Sequence, residues 1–481
     1  MRLGGWKRIF PWAVLSVLAG VLLLAGLVFL PGFPDSRGPG EAGPEAGGGG
    51  SRGVEAGSRE QGMVFGRVEG VWGAMGKDSI WLETRKEGGG EADQGLGDLP
   101  YLAGYQAPPS RSGVLVYDEQ RARKGVNLCL SAHKASAVLM DMEGKVLHEW
   151  AHDHEDIPEA LRERESRSVT LASFWRSAHA FENGDLLAIH DYRGLIKVDR
   201  FSRMLWYVPN GAHHDLTVMP DGRIFVLSHQ TRVVSEWNET LPITEDFIAI
   251  LDPDGREMER VSIPRCFENS RFSDILKARA VAGGDLFHAN KIQVLDGALE
   301  AENPAFRKGN ILVSLRETSS LAVVDMEKRS VAWTLTGGWR EQHESQLLEN
   351  GRLILLDNLG FNGFSRILEI EPSTGRELWE YHGDPPESFR TFLAGDLQRL
   401  DNGNTLITDT RAGRAFEVTS GSQVVWEYVN PHQVPKSRLA ADHGVMQDGG
   451  PDRWLIAALL QMTRLPADFP LGWIPGPGEK P

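Results

Sequence analysis

Six of the fourteen histidines occupy a similar position in a repeating sequence pattern. Each lies four to eight residues before an Asn-Gly or Asp-Gly turn, near the start of the segment that leads into that turn. They are His179, His213, His214, His288, His343 and His443. Imidazole titrates near neutral pH and serves as a nucleophile or as an acid and base. The shared position therefore favours one convergent functional site over six unrelated histidines.

Simpler explanations exist for single residues of this set and around it. Any one of the histidines is equally well explained by a structural hydrogen bond to a neighbouring element. His152, His154 and His432 lie in polar or proline-containing segments and are expected to be solvated. Arg366 begins a strand shortly after His343, and its planar guanidinium suits a tetrahedral oxyanion. An ion pair at the edge of a sheet explains Arg366 equally well.

The strands that position these residues repeat from about residue 113. Turns such as Asn183-Gly184 and Asn350-Gly351 supply the positive φ angles of tight hairpins, and a short apolar strand follows each turn. A strand ending in an acidic residue, another turn and a strand rich in tryptophan then complete the unit, as in 365–381. The outer tryptophans, Trp333, Trp379 and Trp426, are expected to pack between units.

Five complete units and two complementary fragments, 136–150 and 443–459, predict an all-β fold, a six-bladed β-propeller. The fragments from the N-terminal and C-terminal ends pair in one closing blade, which covers edges that an open sheet exposes. The first strand of each blade lines the central channel, so histidines at the start of these strands form a ring around the axis.

The N-terminal region predicts a membrane anchor and a tether. Basic residues precede an uncharged run that is long enough to span a bilayer and longer than the apolar part of a signal peptide. The basic end places the N-terminus in the cytoplasm and the propeller on the periplasmic or extracytoplasmic side of the inner membrane. The predicted divisions are a basic tip 1–8, a transmembrane helix 9–33, a Gly-rich linker 34–62, an irregular lead-in 63–112, the propeller 113–470 and a tail 471–481.

Composition excludes several classes of partner. The net charge of −15 argues against nucleic acid, whose binding depends on neutralising phosphates. Two cysteines, Cys129 and Cys266, are too few for a zinc or iron–sulfur framework, and whether they pair is left open. Asp215 and Glu344 are expected to point away from the neighbouring histidines, since strand neighbours alternate, so no metal set is completed. No cofactor and no metal is expected.

The segments HHDLTVMPDGRIFVL, FHANKIQVLDG, QHESQLLENGRLILLDN and SRILEIEPSTGRELWEY resemble the PAPS-independent arylsulfotransferase family. The resemblance extends over about 113–470 and implies a six-bladed propeller found largely in bacterial periplasms. It implies ping-pong transfer of a sulfuryl group from an aryl sulfate to a phenol through a sulfohistidine. The matching site residues are His214, His343 and Arg366, with His288 in the FHxN segment.

One departure from the family concerns the nucleophile. The family's nucleophilic histidine precedes a QxLxNGN stretch, whereas the equivalent segment 389–395 contains no histidine. Either His288 or His443 takes its place, or covalent transfer is lost in favour of direct transfer between two phenols. A non-catalytic envelope propeller that binds an anionic ligand or a partner protein is the alternative function. A quinoprotein-like dehydrogenase is discounted, because the blade count is six and vicinal cysteines are absent.

Overall fold

A computed structural model describes residues 104–165, 174–442, 452–474 and 476. Antiparallel sheets in these ranges form six blades, which confirms the predicted all-β propeller. The predicted spanning helix 9–33, the linker 34–62, most of the lead-in and His443 lie outside the described residues. Within those ranges, no helix has the length and apolar character needed to cross a membrane.

Each blade contains four strands, of which the first lies at the channel and the fourth at the outer edge. Blade 1 is β28 (Leu459–Leu465), β2 (Val126–Ser131), β3 (Ser136–Met140) and β4 (Val146–Ala151). Blade 2 is β5 (Trp175–Ala180), β6 (Leu186–His190), β7 (Gly194–Val198) and β8 (Met204–Val208). Blade 3 is β9 (Ala212–Val218), β10 (Ile224–Arg232), β11 (Ile243–Leu251) and β12 (Glu257–Ser262).

The remaining three blades are built in the same way from the channel outward. Blade 4 is β14 (Ala289–Val294), β15 (Ile311–Leu315), β16 (Ser320–Asp325) and β17 (Ser330–Thr336). Blade 5 is β18 (His343–Leu347), β19 (Leu353–Phe361), β20 (Phe364–Ile370) and β21 (Glu377–His382). Blade 6 is β22 (Asp396–Arg399), β23 (Thr405–Asp409), β24 (Arg414–Val418) and β25 (Val424–Val429).

Sequence-distant segments close the ring as predicted. β28, near the C-terminal end, pairs antiparallel with β2 in a register that matches Cys129 with Met462. A further strand, β1 (Gly113–Tyr117), pairs with β25 and adds a fifth strand to the outer edge of blade 6. Both ends of the propeller segment are therefore held by backbone hydrogen bonds within sheets.

Few other elements accompany the blades. The helices are α1 (Glu159–Arg162), α2 (Ile263–Glu268), α3 (Ser273–Ala280) and α4 (Lys436–Asp442), and the two-stranded hairpin is β26 (Gln433–Pro435) with β27 (Trp454–Ile456). A short strand, β13 (Gly284–Asp285), pairs parallel with β11 just before the inner strand of blade 4. β13 fixes Asp285 beside Thr244, three residues before His288.

Tryptophans of the outer strands join successive blades. Trp150 in blade 1 is fully buried and donates its indole N–H to the carbonyl of Gly184 in blade 2, at 2.9 Å. Trp426 in blade 6 makes the same contact with the carbonyl of Met142 in blade 1, also at 2.9 Å. A buried indole brings a large apolar area and one polar atom that needs a partner, and the next blade supplies it. Cys129 and Cys266 are separate, buried free thiols.

Candidate functional site

Three of the predicted site histidines meet where the inner strands of blades 3, 4 and 5 begin. The ring centroids of His214 and His288 are 4.8 Å apart, edge to face, and those of His214 and His343 are 6.4 Å apart. His213 adds a fourth imidazole, whose ring centroid is 5.0 Å from that of His214. His179 lies on β5 against Phe181 instead, and His443 is outside the described residues.

The backbone is strained where these residues lie. Five non-glycine residues around the cluster have positive φ angles: Tyr192 (59°), His214 (54°), His288 (49°), Glu341 (58°) and Glu344 (53°). Such a conformation costs on the order of 1–3 kcal/mol per residue and tends to occur at functional sites. The surrounding blades must supply that free energy, because the conformation would relax in an isolated segment.

β-Bulges account for this backbone and correct one expectation. On β18, His343 pairs with Leu356 but the next paired residue is Gln346 with Ile354, so β18 carries an extra residue. β9 has a comparable irregularity around His214. Strict alternation is thereby lost, and Asp215 and Glu344 line the same cavity as the neighbouring histidines. The expectation that these two carboxylates point away was therefore wrong. Bulges of this kind are frequent beside active sites.

An axial cavity of about 40 Å³ lies among the inner strands. One group of its lining residues is basic or aromatic, and another combines three carboxylates with a lysine. The first group is Arg176, His214 and His343, and the second is Asp215, Lys291, Glu344 and Asp396. At roughly 10–15 Å³ per water, the cavity holds about three waters. This polar lining suits a compact polar group.

One ring nitrogen of His343 is hydrogen-bonded, and the other has no such partner in the part of the chain that the structure describes. Its Nδ1 lies 2.8 Å from the carbonyl oxygen of Glu341 and 2.9 Å from Oδ1 of Asn358. Both are acceptors, so Nδ1 carries the proton and Nε2 carries the lone pair. Nε2 is buried and has no hydrogen-bond partner among the described residues. Burial, with the nearby Arg316 charge, lowers the pKa of His343 to about 3, so the imidazole is neutral.

The other two histidines are also tied at Nδ1. Nδ1 of His288 is 2.6 Å from Oδ2 of Asp285, and Oδ1 of the same carboxylate accepts the backbone N–H of His288 at 2.9 Å. His214 shares a 2.8 Å Nδ1–Nδ1 hydrogen bond with His213. Burial, with the charge of Arg176, holds the pKa of His214 well below its ordinary value. His214 is therefore also neutral.

The sequence reasoning missed Arg176 and Arg316, the cations nearest to the histidines. Arg176 lies on β5, lines the cavity and is 3.8 Å from the Asp191 carboxylate. Arg316 pairs with Glu317 at 2.7 Å and with Glu341 at 3.2 Å. The sequence did contain a signal for Arg176. It lies seven residues before the Asn183-Gly184 turn, and His214 and His343 each lie seven residues before the turns of their own blades.

Arg366 is not brought to the histidines. It lies on β20, the third strand of its blade, and does not line the axial cavity. Its Nε is 2.9 Å from Oδ2 of the fully buried Asp357, and its terminal nitrogens reach Glu377 and Glu380 at 3.3 and 3.2 Å. All three partners lie on neighbouring strands of the same blade, so the arrangement is that of a structural ion-pair cluster.

The segment 389–395, which lacks the family histidine, packs directly on the site. Asn358 Nδ2 donates to the carbonyls of Thr391 and Ala394, the latter at 2.7 Å. Gly395 lines the cavity and stands seven residues before Asn402, in the same register as Arg176. An added Cβ at Gly395 would lie 2.1 Å from Leu356, so a larger residue does not fit this backbone without rearrangement.

Solved structures with a similar fold are distant. A protein of unknown function from Bacteroides caccae is 14% identical, with a TM-score of 0.41, over 63% of this chain and 94% of that one. Streptogramin B lyase is 12% identical, with a TM-score of 0.39, over 68% and 86% of the two chains. Virginiamycin B lyase from Staphylococcus aureus is 10% identical, with a TM-score of 0.33, over 54% and 70%. These likenesses are too low to bear on function.

No curated protein matches the chain. A family model does match it, and that model is described as arylsulfotransferase (ASST). The match covers residues 190–431, just over half of the chain. It includes His214, His288 and His343 together with the segment 389–395. On this match the chain belongs to the arylsulfotransferase (ASST) family.

Proposed function

We propose that this protein transfers a sulfuryl group from an aryl sulfate to a phenol, and that Nε2 of His343 receives the group in between. The observation that carries the assignment is the buried, unpartnered lone pair of Nε2 on a histidine that lines the axial cavity. Its tautomer is fixed by two acceptors at Nδ1. A neutral, oriented imidazole in a cavity is a competent nucleophile without a further base. His343 thereby replaces the nucleophilic histidine that the segment 389–395 lacks.

The two half-reactions balance at this nitrogen. In the first, the Nε2 lone pair bonds to sulfur, the sulfur–oxygen bond to the aryl group breaks, and the aryl oxide leaves with that electron pair and takes up a proton. In the second, the phenol loses its proton, its oxygen bonds to sulfur, and the nitrogen–sulfur bond breaks. While the sulfuryl group is attached, the Nδ1–H of His343 still donates to Asn358 and Glu341, which stabilises positive charge on the ring.

The neighbouring groups have distinct roles. Arg176 and His214 line the cavity and supply donors to the non-bridging oxygens, where negative charge concentrates in the transition state. His288, tied to Asp285, packs edge-on against His214 and fixes its ring, which makes His288 a positioning residue. The cavity, of about 40 Å³, is the space proposed for the sulfuryl group.

Trapping the intermediate tests this function. Full-length protein is mixed with 4-nitrophenyl sulfate without acceptor, then digested at alkaline pH and analysed by mass spectrometry. We expect one molecule of nitrophenol released per site in a burst and one added sulfuryl group on the peptide that contains His343. A phenol added afterwards should remove it. His343→Ala should abolish the burst, while His152→Ala, in an exposed loop, should retain it.

Several results would overturn the assignment. A burst that survives in His343→Ala, or a label on another histidine, would move the nucleophile. Turnover without any burst or label would indicate direct transfer between two phenols. Tight binding of the aryl sulfate without released phenol would favour a non-catalytic binding propeller, the alternative that the missing histidine in 389–395 leaves open.

We also propose that the uncharged run 9–33 anchors the protein in the inner membrane, with the propeller on the extracytoplasmic side. Its length, its lack of charge and the basic residues before it support this placement. Alkaline carbonate extraction of membranes is the test. The full chain should stay in the pellet and a chain lacking residues 1–62 should be released, whereas extraction of both would contradict the anchor.

A further inference from the structure

The acidic part of the axial cavity surrounds one lysine. Nζ of Lys291 is 2.7 Å from Oε2 of Glu344 and 3.2 Å from Oδ1 of Asp215, and Asp396 lines the same space. The four residues lie on β14, β18, β9 and β22, so four different blades each contribute one ionisable group. We call these four residues the lysine–carboxylate ring.

The charges of this ring do not balance. Three carboxylates face one ammonium group, and all four side chains are largely buried. The other residues that line the cavity add only Arg176, 3.8 Å from the Asp191 carboxylate, because His214 and His343 are neutral and Gln461 is uncharged. Carboxylates that share a buried site cannot all ionise near neutral pH, so the ring holds a proton.

Hydrogen bonding identifies Glu344 as the group that holds it. Asp215 accepts the backbone N–H of Ile292 at 2.9 Å, and Asp396 accepts the backbone N–H groups of Leu397 and Met462 at 3.0 and 3.2 Å. The two backbone bonds oppose the rise that burial causes in the pKa of Asp396. The Glu344 carboxyl is held instead by the side chain of Lys291. Burial raises the pKa of Glu344 to about 8, since the attraction of Lys291 is opposed by Asp396 and Asp215.

We propose that Glu344 is the catalytic acid and base of the sulfuryl transfer, that burial beside Asp215 and Asp396 keeps it protonated between turnovers, and that Lys291 stabilises the carboxylate it becomes. This inference rests on the proposed function. Glu344 directly follows the nucleophile His343, and the bulge at φ 53° turns both into one cavity. Both side chains therefore line the cavity in which the sulfuryl group is proposed to bind.

Glu344 gives a proton in the first half-reaction and recovers one in the second. As the sulfur–oxygen bond breaks, the Glu344 carboxyl gives its proton to the leaving aryl oxide and becomes a carboxylate paired with Lys291. In the second half-reaction, that carboxylate takes the proton of the acceptor phenol as the phenol oxygen bonds to sulfur. His343 and His214 are poor sources of this proton, because both are neutral.

Leaving-group dependence is the test. Nitrophenolate leaves without a proton, whereas the anion of unsubstituted phenol needs one. Release from 4-nitrophenyl sulfate in Glu344→Gln should stay within about threefold of wild type, and release from phenyl sulfate should fall by about 10² or more, the usual contribution of a general acid. Glu349→Gln, on the exposed turn of the same blade, is the matched control and should leave both rates unchanged.

A loss of equal size with both donors would assign Glu344 a structural role and overturn the inference. Wild-type protein provides a second measurement that needs no variant to fold. The sensitivity of the rate to leaving-group pKa should become steeper as pH rises through about 8, where Glu344 loses its proton. The same sensitivity at pH 6.5 and pH 9 would also overturn it. If wild type transfers no sulfuryl group at all, the proposed function fails instead.

Discussion

Asn358 determines which nitrogen of His343 is free. The amide nitrogen of Asn358 is committed to two carbonyls in the segment 389–395, so its oxygen must face His343. An oxygen there accepts only from a protonated Nδ1, and the lone pair is therefore confined to Nε2. In this way the segment that lacks the family histidine orients another histidine through one asparagine.

Replacing Asn358 tests that relationship. We expect Asn358→Ala to lower the rate of the nitrophenol burst about 10-fold or more, because a hydrogen bond to a group that gains charge contributes about 1.5–3 kcal/mol. Rapid-mixing measurement of the burst gives the rate directly. Asn362→Asp, in the exposed hairpin turn that follows β19, should behave as wild type. An unchanged burst in Asn358→Ala would show that the tautomer does not depend on this contact.

Substitutions of Arg176 and Arg366 should affect different properties, activity for the first and stability for the second. Arg176→Met removes a cation that lines the cavity, and kcat/KM for 4-nitrophenyl sulfate should fall about 10-fold to 100-fold, the usual effect of one charge-assisted hydrogen bond. Arg366→Met should lower thermal stability instead, since it leaves the buried Asp357 carboxylate without its ion-pair partner. Steady-state kinetics beside thermal unfolding separates the two effects. If Arg366→Met loses activity and keeps its thermal stability, Arg366 belongs to the site, as the family resemblance implied.

Acidification should destabilise the fold before it affects isolated carboxylates. Burial lowers the pKa of His213 and His229 to about 4 and that of His343 to about 3. Below pH 6.5 the unfolded chain binds protons at these positions and the native state does not, so stability falls as pH falls, by about 1.4 kcal/mol per pH unit per histidine.

Buried carboxyls oppose this trend, because burial raises the pKa of Asp409 to about 6, that of Asp246 to about 7 and that of Glu344 to about 8. Their contribution is greatest near pH 4 and is lost as pH rises toward their folded pKa values. The midpoint of thermal unfolding should nevertheless fall as the pH is lowered from 7 to 4. In His229→Gln, which removes one of these buried imidazoles, the midpoint should depend less steeply on pH. If the midpoint depends on pH equally in wild type and in His229→Gln, the lowered pKa of His229 is contradicted.

Closure of the ring offers a fourth prediction. Trp426→Phe keeps most of the apolar area but removes the N–H that donates to Met142 across the junction of blades 6 and 1. We expect the free energy of unfolding to fall by about 1–3 kcal/mol, since a buried carbonyl then lacks its donor. Denaturant titration measures this. Trp454→Phe, an exposed tryptophan on β27, is the control and should change it little.

The sequence predicts the blades well because the turn chemistry repeats in each unit. It also predicts the convergence of His214, His288 and His343, since each stands at the start of an inner strand. Their hydrogen-bond partners were not predicted, because Asn358 lies on the next strand and Asp285, three residues before His288, belongs to no repeated pattern. The acidic part of the cavity was missed for a physical reason, because bulges with positive φ break the alternation that the prediction assumed.

β1 has a mechanical consequence for the chain that precedes it. The residues before it connect through the outermost strand of blade 6, while β2 and β28 complete the ring separately. A pulling force on the N-terminal side is therefore borne by the packing of Tyr105 and the hydrogen bond from Ile456 N–H to the Gln106 carbonyl, and then by the β1–β25 hydrogen bonds. Peeling β1 away would expose the edge of β25 but leave the circle of six blades closed. The geometry of the histidine site is thus insulated from a force applied to the chain before β1.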